Sequence, residues 1–119
     1  TFFMTALYDV LSAGPIIGGG ANQLPYQRAK LAMALHGKSV HYHLSEIHAR
    51  HWQEMVRSSG LPQVWDQLIA TATGVDAALQ RVQARLPAGF PPAVWDSTAK
   101  GARRHAGRFL RELARLGQA

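Results

Sequence analysis

KLAMALHGKSVHYHLSEIHARHW, residues 30–52, decides the fold. In its first part Leu31, Met33 and Leu35 alternate with alanine. After His36-Gly37-Lys38, Val40, Tyr42 and Leu44 alternate with serine and histidine. A period of two on both sides of a glycine turn predicts a β-hairpin. A short helix over 29–35 competes, because Ala, Leu and Met are good helix formers. From Ser45 the period changes. Ile47, His51 or Trp52, Met55 and Val56 fall on one helical face, with Ser45 or His48 as N-cap and Gly60 as the stop.

Downstream the pattern stays helical. Pro62 suits a first helical turn. Val64, Trp65, Leu68, Ile69, Ala72, Val75, Leu79, Val82 and Leu86 step by helical intervals, which predicts one long helix to about residue 86, bent at Gly74. Pro87 and Gly89 break it. Pro91 and Pro92 open a last helix to about Leu116, with Val94, Trp95, Thr98, Ala102, Phe109, Leu113 and Leu116 as its inner face. Upstream, residues 2–8 read as a strand rich in Phe and Tyr, and 12–26 as a Gly/Pro-rich loop. The expected fold is mainly α, with an N-terminal strand and a short β-hairpin before about three helices.

The bulk numbers bound the class. The 119 residues are one domain's worth of chain, and 47% apolar content is enough to fill a core. No apolar run approaches the roughly 20 residues of a membrane span, and no basic stretch precedes the apolar N-terminal run as in a signal peptide. With no cysteine, disulfides and thiolate metal sites are excluded, and a reducing cytoplasm is the expected location. Because the chain opens with Thr1 inside an apolar run, it is expected to be a piece of a longer polypeptide.

Net charge is +6, and it is uneven: from Lys100 onward six Lys or Arg stand against one Glu. Lys100, Arg104, Arg108, Arg111 and Arg115 step by 4, 4, 3 and 4, which places them within about 80° of one helical arc opposite Phe109 and Leu113. A solvated face is the common reading of such a stripe. Contact with phosphates or an acidic protein is the functional one, and Arg57 on an earlier helix extends the candidate surface. Glu112 is the only acid on this helix after Asp96, so little neutralisation of the stripe is expected.

Two further groupings carry less. The glycines of IIGGGANQL, residues 16–24, fit neither G-x-x-x-x-G-K-[ST] nor G-x-G-x-x-G and read as a surface loop, mobile or ordered by a partner. Five of the six histidines lie between His36 and His51. His41 and His43 share a strand face, and His48 and His51 are three apart on a helix. Zinc accepts neutral imidazole, but no carboxylate completes a ligand set, so half-buried or surface histidines are the stronger reading.

The remaining acidic feature is Asp9, at the end of TFFMTALY, where a turn cap and a metal ligand compete. Here four stretches matter together: ALYDVLSAGPIIG, QLPYQRAKLAMALHGK, HYHLSEIHARHW and RLPAGFPPAV. In this order they resemble the C-terminal part of the HipA family, bacterial serine/threonine kinases that act as toxins of toxin–antitoxin pairs. The resemblance covers nearly the whole chain and implies a kinase-like fold with a mostly helical C-terminal lobe, of which residues 1–119 are an incomplete segment. It gives Asp9 the role of the D-F-G aspartate, binding the Mg²⁺ that bridges ATP phosphates.

The family usually has Pro before L-Y-D, where this chain has Ala6. Its D-x-x-x-x-N catalytic loop, its ATP-binding lobe and its phosphate-contacting lysine have no counterpart in these residues. The resemblance therefore places no catalytic residue in this chain and implies that, alone, it does not transfer phosphate. The partners implied are the rest of the kinase polypeptide, a DNA-binding antitoxin, operator DNA indirectly, and a protein substrate such as an aminoacyl-tRNA synthetase (glutamyl-tRNA synthetase in the family). The alternative is a non-catalytic basic helical module that binds nucleic acid or an acidic protein.

Overall fold

The computed structural model describes residues 12–117. The strand expected over 2–8 and Asp9 lie outside the described residues. The chain is mainly helical: a two-stranded antiparallel hairpin is followed by helices. The elements are β1 (Lys30–His36), β2 (Val40–His43), α1 (Ala49–Ser59), α2 (Gln63–Thr73), α3 (Val75–Gln83) and α4 (Pro92–Leu116). Short 3-10 turns occupy Gly14–Ile16, Tyr26–Arg28 and Leu44–Glu46. No helix among the described residues is long and apolar enough to cross a membrane.

The hairpin forms where the alternation predicts it, rather than a helix over 29–35. Leu35 pairs with His41, His36 with Val40 and Lys30 with His43, and the register shifts between Lys30 and Leu35. That shift breaks the strict alternation of β1. Leu35 is buried, whereas Met33 is 84% exposed. In β2 the faces are the reverse of what hydrophobicity alone dictates. Val40 and Tyr42 are exposed, while His41 and His43 are half-buried. The cause is tertiary: α1 offers His41 a stacking partner, His51, with ring centroids 3.7 Å apart.

Local chemistry sets the helix ends. His48, in extended conformation, is the residue before α1, so the start falls at the second of the two expected caps. Ser45 belongs instead to the preceding 3-10 turn. Gly60 takes φ 73° and ends α1, its N–H donating to the Arg57 carbonyl, a conformation that costs a residue with a Cβ roughly 1 kcal/mol or more. The bend expected at Gly74 divides α2 from α3, although the ladder runs through it: Gly74 donates to Ala70 O and accepts from Ala78 N, both at 3.0 Å. The regular helix ends at Gln83, before the expected residue 86. Pro92 is the first residue of α4, which runs to Leu116 as expected.

α4 is the spine against which α1, α2, α3 and the Gly14–Ile16 turn pack. Trp65 on α2 meets Phe109 edge-on at 5.7 Å. Ala29, Leu35, Ala49, Val56 and Ala99 are buried, together with one polar residue, His51. Small residues bring backbones close. A Cβ at Gly14 would meet the Ser97 carbonyl oxygen at 2.9 Å. Val94, expected on the inner face, is 38% exposed. At roughly 100° per residue it lies about 100° from Trp95 and Leu113, at the margin of the apolar arc.

The glycine loop is ordered by hydrogen bonds of its own. Gly18 N–H donates to Leu24 O (3.0 Å), and Leu24 N–H donates to Ile16 O (2.7 Å). The Gln23 side chain accepts from Gly20 N–H at 3.0 Å and donates to Pro15 O at 3.3 Å. Here a side chain performs the ordering that three consecutive glycines cannot.

Candidate functional site

The densest polar constellation lies where the start of α1 meets the last third of α4. α4 presents Arg108 and Glu112 one turn apart, spaced for an intrahelical pair, and their Nε–Oε1 distance is 2.9 Å. Both reach out of their own helix. Glu112 Oε2 accepts the Ala49 N–H at 2.7 Å, and Oε1 lies 2.9 Å from His48 Nδ1. Arg108 Nη2 donates to the Ser45 carbonyl at 3.1 Å and lies 3.0 Å from the same His48 nitrogen.

The first amide of α1 is thus capped by a carboxylate from a different helix. N-terminal amides of a helix lack intrahelical acceptors, and the positive end of the helix dipole favours an anion there. The His48 side chain fits either way. With a proton, Nδ1 donates to Glu112; without one, it accepts from Arg108.

These contacts determine the chemistry of Glu112. Burial pushes its carboxyl group upward, but hydrogen bonds from His48, Ala49 and Arg108 outweigh that and hold it down to about 2. A carboxylate this acidic and already supplied with donors is a poor proton acceptor. Its work is structural: it fastens α4 to the beginning of α1.

Beside this clasp is a cleft of about 240 Å³, its apolar side formed by Leu31, Leu44, Ile47, Trp52 and Phe109 and its polar side by His48, His105, Arg108 and Glu112. It is at the small end of ordinary ligand pockets, which span roughly 300–1,000 Å³.

The residues read from sequence as a basic stripe divide. Lys100, Arg104, Arg111 and Arg115 are exposed, and so is Arg57 on the last turn of α1. Arg108 is not part of that open face: it is half-buried and paired with Glu112. The expectation that the stripe is hardly neutralised in place is corrected at this position. Arg108 is the member of the stripe nearest the apolar arc, so its side chain is drawn into the α1–α4 junction. Arg104 lies over the Tyr26 ring, 4.6 Å from its centroid. Arg103, outside the stripe, pairs with Asp76 at 2.8 Å on the exposed surface, a contact worth little in stability.

The histidines form a packed group. His41 and His51 stack with an interplanar angle of 22°, and His48 and His51 are tilted with centroids 5.5 Å apart. Among the described residues there is no group of three or more His, Asp or Glu placed to hold a metal.

Sequence reasoning missed Glu112 and His48 as partners. The Arg108–Glu112 spacing was readable, but nothing local ties either to the turn more than sixty positions earlier. No family model matches the chain.

Proposed function

We propose that the chain is the C-terminal helical part of a HipA-like serine/threonine protein kinase. The complete protein transfers the ATP γ-phosphoryl group to a protein hydroxyl and is neutralised by a DNA-binding antitoxin. What supports this reading is a resemblance: YDVLSA, KLAMALHGK, EI-x-x-RHW and RLPAGFPPAV, in this order along nearly the whole chain, look like segments of the family. The arrangement of the second and third is compatible with it. Buried Leu35 of the hairpin and buried His51 of α1 come from those two stretches.

ATP and Mg²⁺ belong to the complete protein. In this reading the bound Mg²⁺ is held by Asp9 together with upstream parts of the polypeptide, as the resemblance of ALYDVLSA to the family's L-Y-D segment implies. This segment contributes a helical platform on which those upstream catalytic parts are held.

The test uses the complete encoded protein, with the region preceding Thr1, and the 119-residue chain beside it. Incubated with γ-labelled ATP and an aminoacyl-tRNA synthetase or whole-cell protein, the complete protein is expected to label a serine or threonine and the chain to label nothing. A complete protein that carries D-x-x-x-x-N upstream and still labels no protein would refute the reading.

The exposed cations of α4 favour a second reading, a binding module for nucleic acid or an acidic protein. Exchanging Lys100, Arg111 and Arg115 for Gln is expected to change stability by less than about 0.5 kcal/mol each, because all three are exposed. Under this second reading wild type shifts a DNA duplex in a gel, more strongly at low salt as counterion release requires, and the triple variant does not. Superimposable shifts for the two proteins eliminate it.

A further inference from the structure

His51 is the one buried polar residue among the described residues, 6% exposed, and it is tied on two sides. Its ring stacks on His41 of β2 at 3.7 Å. Its Nδ1 accepts the His48 N–H at 3.0 Å. The second contact fixes the tautomer: Nδ1 carries no proton, and the ring's hydrogen is on Nε2. The hairpin and the first turn of α1 therefore meet on a neutral imidazole.

A second proton has no good place on this ring. It would turn the Nδ1 acceptor into a donor facing another donor and put a cation on a ring that is largely covered. Around it, β2 offers His41, and α1 offers His48, Arg50 and a single acid, Glu54. At the ends of β1, Lys30 and His36 are exposed, and from α4 Arg108 and Glu112 pair with each other behind His48. Burial first, then His41, Arg50 and His48, hold the His51 imidazole below its usual 6.5, with Glu54 opposing. A lowered folded value means the neutral ring is favoured in the fold. The stabilisation is complete above 6.5 and is lost as pH falls from there toward the folded value.

We propose that the His41–His51 stack is a proton-operated latch: when His51 takes up a proton, the hairpin releases from α1 while the Arg108–Glu112 clasp stays shut. The windows are separate, since Glu112 gives up its charge only near pH 2. Mild acid thus frees the Leu35 side of the hairpin without dismantling the helices. The device makes hairpin docking, and any contact the hairpin makes with another part of the polypeptide, sensitive to pH near neutrality.

Hydrogen–deuterium exchange on the 119-residue chain at pH 7.5 and 5.5, corrected for the intrinsic pH dependence of exchange, tests this. In wild type, amides of residues 31–43 are expected to lose protection several-fold at the lower pH, up to the roughly tenfold that one proton bound below 6.5 allows, while amides of residues 106–113 stay protected. In His51→Asn, whose Oδ1 stands where Nδ1 stood and cannot titrate, hairpin protection is expected to be equal at both values. The wild-type His51 ring followed by NMR gives a reading that needs no variant: its titration must coincide with hairpin opening. Equal hairpin protection in wild type at both pH values, opening of α4 together with the hairpin, the same opening in His51→Asn, or a ring titration out of step with opening would each overturn the latch.

Discussion

Glu112→Ala is expected to lower the stability of the fold by about 3 kcal/mol, far more than removal of an ordinary surface acid. The substitution leaves the Ala49 N–H without its acceptor and Arg108 half-buried without its anion. Stranding one member of a partly buried charged pair costs several kcal/mol, because the survivor keeps its desolvation penalty. Linkage gives a similar size. The carboxyl group falls from 4.5 to about 2 on folding, and each unit corresponds to about 1.4 kcal/mol. A depressed carboxylate contributes fully above 4.5 and loses its contribution as pH drops from 4.5 toward 2. Urea midpoints measured at pH 7 and at pH 3 are therefore expected to differ strongly in wild type and much less in Glu112→Gln. An alanine variant within about 0.5 kcal/mol of wild type at pH 7 would mean that the clasp is ornamental.

In the complete kinase proposed above, Asp9→Asn is expected to abolish phosphoryl transfer, a fall of at least about a hundredfold, with the fold retained. The prediction rests on the match of ALYDVLSA to the family's L-Y-D segment. Asparagine preserves the shape of the side chain and removes the negative charge that a hard divalent cation requires. Initial rates at saturating ATP, with circular dichroism to confirm folding, decide the matter. A folded variant that labels its target at the wild-type rate would return Asp9 to the role of a turn cap.

What the sequence made legible was governed by near neighbours. The turn at Gly37, the stop at Gly60, the bend at Gly74 and the opening of α4 at Pro91-Pro92 each depend on a residue whose backbone preference acts within a turn or two. The faces of the hairpin were not legible. Period two determines which residues of β2 share a side, but not which side is covered. Val40 and Tyr42 face out because His51, from another element, claims His41. The clasp was half legible. Angular position put Arg108 among the exposed cations, and only a contact with a distant turn reveals that it faces inward. Asp9, the one residue assigned to a metal, owes that assignment wholly to resemblance.

The separation between His48 and Glu112, 64 positions, bears on the order in which the fold assembles. During synthesis the hairpin and α1 leave the ribosome long before α4, so the first turn of α1 must wait for its acceptor. Until then its leading amide is served only by water, and the hairpin rests on a helix whose beginning is frayed. The carboxylate that arrives last closes the largest loop in this network. The first turn of α1 is therefore among the first parts to be made and among the last to be secured, and a nascent chain cut short of Glu112 lacks the carboxylate that caps it.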